Sequence, residues 1–443
     1  MLVLQTIAIL FSIIILLFSL NGLLNLYSII SWRGEERENF FRSKKERPNT
    51  YFYLIIPALR EQNVICKTIE RLSMFDYDKK MFEIIVALDK KERESIQNKD
   101  SSTFSVLKQY ILQRKNNFPK VSFVEYLGEG QKRAFQLNAA LDSIHFDSKN
   151  RKNVFVGVYD ADSHPDLNTL SYINYKHQKN NTLVAFQQML NYLLNSKKIS
   201  TLRYSSWILG NAYYQTMWNY IFELKQFFNT NSAIKKGKQS LFPPYCMGHG
   251  EFFEYNMLKT VGGFPKDGVA DGIQIGFLLS LKGIMINPIP FDDYCESPES
   301  LSVIYRQHTF WLFGNIEFFK ILSQNGRGII KFIQALFHLF LSIKWALRPF
   351  FYLFTLTLTI YTNLTLVTVS LLFVPFVYYL TSYYLLSKFV NKDADFEIVK
   401  LKYFGVEVIL GVFFKSFGAI NGFIKILKKG LFGTEPVFKK IER

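Results

Sequence analysis

The chain has 443 residues, 49% of them hydrophobic and 17% aromatic, and a formal net charge of +17. That length and apolar content exclude a disordered polymer and leave room for a large globular domain plus membrane segments. The basic excess fits the positive-inside imbalance of a membrane protein drawn to anionic lipid; no recognised nucleic-acid motif accompanies it, so nucleic acid is set aside as a partner.

Residues 1–32 contain no charge and exceed the roughly 20 apolar residues that a bilayer span needs. With no basic n-region and no small-residue cleavage site, this run reads as a retained transmembrane anchor rather than a signal peptide. The basic stretch RGEERENFFRSKKER follows, which places that side in the cytosol and the N-terminus outside. From Tyr51 to about Pro290 short apolar runs (YFYLIIPA, FEIIVALD, KVSFVEY, NVFVGVYD) alternate with segments of helical length. Such alternation predicts an α/β domain with a mostly parallel sheet, here residues 45–325. Between Arg348 and Lys388 an uncharged run is too long for one span and predicts two helices broken near Tyr361-Thr362-Asn363, returning to the cytosol after Lys388. Tyr403–Ile424 carries Glu407 and Lys415 and reads as an interfacial amphipathic segment, with a third C-terminal span as the near alternative. Ile329–Trp345, with Lys331 and Lys344, poses the same choice. Residues 326–430 are thus membrane and interfacial helices, and 431–443 a cytosolic tail.

The stretch Asn153–Asp166, NVFVGVYDADSHPD, runs an apolar, β-branched strand straight into Asp160 and Asp162. A strand ending so delivers both carboxylates to the carboxyl edge of a sheet, where open α/β folds bind ligands. Hard cations such as Mg²⁺ or Mn²⁺ favour a few carboxylates plus substrate phosphates, so the pair is a docking point for a metal-bound nucleotide diphosphate. An acidic pair by itself is more often merely solvated. Further features, in one order along the chain, raise its weight. IIPALREQ sets Pro57 and Glu61 at the end of the first strand, and VALD sets Asp89 at the end of the second. QKRAFQLNAAL offers Lys132, Arg133 and Asn138 at the head of a helix. A glycine-rich block brings Gly248 and Gly250 and runs into Asp271, and YRQHTFW closes the region with Arg306, Gln307, His308 and Trp311.

On residue type alone, Asp271 is better read as a cap for the helix DGIQIGFLLSLKG, while Trp311 serves equally as a membrane-interface aromatic. His249 and His308 read as hydrogen-bonding pocket residues, since neither has a partner at metal-ligand spacing. Cys66, Cys246 and Cys295 form no metal-ligand spacing either and fit a reducing cytosolic domain.

The ordered set resembles the membrane-integrated family 2 glycosyltransferases of GT-A fold, a group that includes cellulose, hyaluronan and poly-N-acetylglucosamine synthases and ceramide glucosyltransferase. Its most specific elements are VYDADSHPD, the GHG…VGGF…ADG block and YRQHTFW, and the likeness spans nearly the whole chain. It implies a Rossmann-like GT-A domain joined to α-helical transmembrane segments. The implied reaction is an inverting hexosyl transfer, dependent on Mg²⁺ or Mn²⁺, at the cytosolic face of the plasma membrane. The donor would be a nucleotide sugar, usually of UDP, and the acceptor a lipid or a growing glycan. By the same resemblance Pro57, Glu61 and Asp89 belong to the nucleotide site, with Lys132 or Arg133 as its basic residue. Asp160 is the nucleotide-side carboxylate, Asp162 the metal ligand and Asp271 the general base. Gly248, Gly250, Gln307 and Trp311 fall on the acceptor side.

Two positions depart from that pattern. Phe310 stands where the QxxRW motif has its diphosphate-binding Arg, so either Arg306 or His308 takes over that contact, or the diphosphate relies more on the metal and on Lys132 and Arg133. Ala270 replaces the Glu of the usual Thr-Glu-Asp. Two alternatives stand beside transfer to a lipid: a processive polysaccharide synthase, which the few spans and imperfect QxxRW disfavour only slightly, and, motivated by these departures, a catalytically impaired nucleotide- or glycan-binding subunit of an assembly complex.

Overall fold

The computed structural model describes residues 1–43, 47–90, 92, 102–114, 118–128, 132–146, 153–241, 243–268, 270–324, 328–389 and 406–432. The expected cytosolic return at residues 390–393 and the tail from 433 onward lie outside these.

Eight strands make one sheet: β1 (Tyr51–Ala58), β2 (Phe82–Asp89), β3 (Lys120–Tyr126), β4 (Val154–Val158), β5 (His164–Pro165), β6 (Ala185–Asn191), β7 (Glu251–Glu254) and β8 (Asn287–Tyr294). Their order is β3-β2-β1-β4-β7-β6-β8-β5. The four expected strands form the first half, paired parallel throughout. β1, β2 and β4 are buried almost end to end, which matches their unbroken apolar sequences rather than an alternating pattern. In the second half β6 and β8 are parallel while β7 runs antiparallel to both of its neighbours, so the sheet is mixed α/β.

This topology gathers the chemistry on one edge. β1, β2 and β4 deliver their carboxyl ends there. β7 begins at that edge because Val158 pairs with Glu251, which sets residues 248–250 beside the loop leaving β4. β6 runs antiparallel to β7, and β8 parallel to β6, so Asp292 and Asp293 at the end of β8 arrive at the same edge.

The helices that position the site are α1 (Leu2–Arg42), α2 (Ile65–Ser73), α3 (Thr103–Leu112), α4 (Arg133–Asp142), α5 (Thr169–Lys179), α6 (Ser205–Trp218), α7 (Leu224–Lys235), α8 (Asp271–Leu281), α9 (Leu301–Ile316), α10 (Ile329–Tyr361), α11 (Thr365–Phe389) and α12 (Val406–Phe432). Three of them, α1, α10 and α11, are long and apolar enough to cross a membrane. α10 and α11 break at the polar step seen in the sequence, where Asn363 takes a left-handed φ of 57°. Ile329–Trp345 is simply the first half of α10. α12 is not among the three. It lies along α6 and α9, where Gly411, Gly418 and Gly422 meet the carbonyls of Trp207, Tyr305 and Thr309 without room for a side chain.

α1 does not stop at Trp32. Glu and Arg at helical spacing, with Arg42 paired to Glu38, carry it on through the basic stretch to Arg42. Its inner end is built into the domain. Leu26, Ile29 and Ile30 pack with Tyr220 and Leu224, and buried Arg33 meets Asp292 at 3.3 Å and donates to the Pro290 carbonyl at 3.0 Å.

Candidate active site

The edge opens into a cavity of about 310 Å³. Asp160 and Asp162 reach it from the loop after β4, Gly248 and His249 from the loop before β7, and Asp271 from the start of α8. Gln307 and Trp311, one turn apart on α9, line its far side with Phe310.

Arg133 sits at the centre of this arrangement. As the first residue of α4 it meets Asp271 Oδ2 at 2.8 Å and Asp160 Oδ1 at 3.1 Å, and donates a further hydrogen bond to the Gly248 carbonyl. Gly248 itself holds a φ of 89°, which favours glycine, and a Cβ on Gly272 would collide with its backbone. The pair of glycines lets α8 start against the loop, which points Asp271 into the cavity.

Asp271 is the first residue of its helix, and the cap position belongs to Ala270, so the carboxylate is turned to Arg133 instead of capping. Burial pushes its pKa above the ordinary carboxylate range, and Arg133 holds it back only in part. A carboxylate displaced in that direction is a better proton acceptor near neutrality.

The family model for "Glycosyl transferase family group 2" matches residues 155–386, just over half of the chain. The chain belongs to glycosyl transferase family group 2. A probable glycosyltransferase of Sulfolobus acidocaldarius is 24% identical over 320 residues, covering 72% of this chain; the chain spans 60% of that relative's length. Among solved structures, the mannosyltransferase PcManGT from Pyrobaculum calidifontis, in complex with GDP-Man and Mn²⁺, aligns over 96% of this chain and 99% of its own, with 13% identity and a TM-score of 0.47. S. aureus TarS 1-349 with UDP-GlcNAc aligns over 60% and 67%, with 14% identity and a TM-score of 0.35.

The other residues singled out in this glycosyltransferase do not all reach the cavity. Asp89 ends β2 and lines a smaller space of about 180 Å³ with Glu92, Ser102 and Glu125. Glu61 follows the β1 edge, its backbone N–H bonded to Thr103 Oγ1 at 2.9 Å, and Pro57 is paired within β1 opposite Ala87. Lys132 precedes α4 without capping it, and its ammonium donates to the carbonyls of Lys266 and Asp267 on the exposed side. Gly250 lies beneath the cavity, bonded through its N–H to Val158 and through its carbonyl to Gln188.

Neither expected substitute for the missing Arg reaches the cavity lining. Arg306 is exposed and absent from the cavity wall, although it sits one helical turn before Phe310 on α9. His308 is fully buried against Trp311 and Trp345, with Nε2 on Asn211 at 3.0 Å.

Two site residues, Asp293 and Glu223, escaped the sequence reading. His249, Asp293 and Cys295 place ligand atoms within 4.8 Å of one another, a group of metal-binding composition. Its bonding is that of a brace: Asp293 receives His249 Nδ1 at 2.8 Å, Ser163 Oγ at 3.0 Å and the His164 N–H at 3.0 Å. Burial also pushes the Cys295 thiol well up, and soft sulfur is a poor ligand for Mg²⁺ or Mn²⁺. Asp160 and Asp162, with oxygen donors facing a phosphate-sized space, suit Mg²⁺ or Mn²⁺ better. A sequence signal for Asp293 did exist, since PIPFDDYC repeats the strand-into-acid pattern of VYDAD.

Glu223 is the second omission. It ends a π-helical turn, Asn219–Glu223, between α6 and α7, and such turns recur at functional sites. Tyr245 and Asn219 hold its carboxylate in the cavity at 2.6 and 2.7 Å, and burial raises its pKa. Lys415 of α12, 2% exposed, closes the roof over the ring of Tyr214 at 3.6 Å.

Proposed function

We propose that this glycosyltransferase moves a sugar from a nucleotide-diphosphate donor, a UDP-sugar, to a lipid or glycan acceptor at the cytosolic membrane face, with inversion. The observation that supports this is the convergence of Asp160, Asp162 and Asp271 on one cavity, with Arg133 joining Asp160 and Asp271. The acceptor hydroxyl gives its proton to Asp271 while its oxygen attacks the anomeric carbon. The bond from that carbon to the diphosphate breaks, and its electron pair leaves with the nucleoside diphosphate. Attack opposite the leaving group with a single base inverts the anomeric centre. A divalent cation on the Asp160 and Asp162 carboxylates supplies neutralisation of the charge building on the diphosphate. Arg133, already at the meeting point of both carboxylate groups, is the guanidinium best placed for the diphosphate in the absence of a motif Arg. Asp89 and Glu61, at the ends of the first two strands, serve base and ribose, and Trp311 offers an aromatic face to the acceptor.

A second reading, a binding subunit without turnover, draws on Phe310, which lines the cavity where the motif supplies an Arg. The test is release of nucleoside diphosphate by purified protein in nanodiscs, across a panel of nucleotide sugars with Mn²⁺ or Mg²⁺ and with lipid extract present or absent. Turnover with one donor supports the enzyme. Donor binding without release under every condition supports the subunit and sinks the enzyme.

A further inference from the structure

A second space, about 980 Å³ and walled mostly by apolar side chains, lies between α1, α6, α7 and α10. It adjoins the catalytic cavity: Trp218, Phe222, Gln226 and Leu341 line both. Its outer walls come from α1 and α10, two of the helices apolar enough to cross a bilayer, and Phe18, Phe340 and Phe354 stand exposed along it. A groove with this lining suits a hydrocarbon chain better than a sugar chain, whose hydroxyls would find few partners there.

The end of the groove nearest the active site is cationic. Lys225, Lys344 and Arg348 line the space, and its described lining residues include no carboxylate. Lys344 lies 3.8 Å from the centre of the Phe18 ring, and Arg348 donates to the Tyr214 hydroxyl at 3.3 Å. Lys415 covers the same Tyr214 ring from the catalytic side, so cations approach one another across a single aromatic side chain. Glu223 of the catalytic cavity acts on Lys415, but the groove's described lining gives Lys344 and Arg348 no carboxylate, and like charges gathered in a half-dry place are costly unless an anion joins them.

We propose that the acceptor is a long-chain lipid whose head carries phosphate. The chain lies in the groove between α1 and α10, and the phosphate sits among Lys344, Arg348 and Lys415, within reach of the cavity that holds Asp271. This rests on the glycosyl-transfer reading above and names the acceptor for it.

The experiment uses the full chain in phosphatidylcholine nanodiscs, with tryptophan fluorescence reporting binding of hexadecyl phosphate, hexadecanol or inorganic phosphate. Saturable binding of hexadecyl phosphate is expected, at least about tenfold tighter than hexadecanol and not displaced by millimolar inorganic phosphate. Lys344→Gln weakens it about tenfold, as befits loss of one charged contact, and Lys344→Arg restores it. Arg348→Gln gives an independent reading should the first variant fold poorly. Equal binding of the alcohol and the phosphate, displacement by inorganic phosphate, or unchanged affinity in both Gln variants overturns the proposal. Nucleotide-sugar binding is measured on the same wild-type samples. Donor bound without alkyl phosphate removes the lipid acceptor alone, whereas alkyl phosphate bound without any donor upholds the groove and removes the glycosyl-transfer reading.

Discussion

Arg133 and Asp271 meet at 2.8 Å across 138 residues of sequence, and the same guanidinium holds Asp160 at 3.1 Å. One cation thereby keeps two carboxylates of different loops in a single cavity. The groups proposed for donor and acceptor chemistry are coupled before any substrate arrives.

If Asp271 is the base, Asp271→Asn removes proton acceptance and spares the Asp160–Asp162 carboxylates. Transfer is expected to fall by about 10²–10⁴-fold with nucleotide binding largely kept. Product formation and nucleotide affinity, measured side by side, check this; retained turnover would take Asp271 out of the role.

Asp162→Ala strikes the other half of the site. Its expected effect is a weakening of Mn²⁺-dependent nucleoside diphosphate binding, with little change in binding measured in chelator. Titration calorimetry with and without Mn²⁺ separates the two, and an unaltered metal dependence would move the ion elsewhere.

Arg133→Gln leaves two carboxylates facing each other with no counter-charge. A stability loss of roughly 2–4 kcal/mol is expected near neutral pH, at the lower end of what breaking a buried pair costs because the guanidinium is about one quarter exposed. The loss shrinks in acid as Asp271, whose pKa burial already raises, takes up a proton. Thermal melts of the variant against the parent at pH 5 and pH 8 test the trend, and equal losses at both would contradict it.

Glu251 supplies the pH prediction. It is fully buried beneath the cavity, and burial pushes its pKa from 4.5 up to about 8, with Arg133 opposing. The raised folded value means that stability is whole below pH 4.5 and is lost as pH climbs through about 8. Glu251→Gln mimics the protonated acid, so the variant is expected to gain on the parent by a few kcal/mol across that window and to match it in acid. Parallel melting-temperature gains at all pH values would refute the assignment.

Much of the architecture was present in local sequence pattern. Strand–helix alternation specifies an α/β sheet, because burial on both faces demands unbroken apolar strands such as FEIIVALD. The uncharged runs specify α1, α10 and α11, because a bilayer fixes the length of an apolar helix. The strand-into-acid step at Asp160 and Asp162 marks the site edge for the same kind of reason, since a strand's end is local. Which loops share that edge is not local. The placing of β7 beside β4, and of β8 beside β6, brings His249, Asp293 and Cys295 together and sets Gly248 against Gly272. Lys415, on a helix whose sequence reads as interfacial, roofs the cavity only because α12 folds back along α6 and α9. Spacing along a chain orders the side chains of one element; packing between distant elements, which depends on every strand's neighbour at once, decides which of them meet.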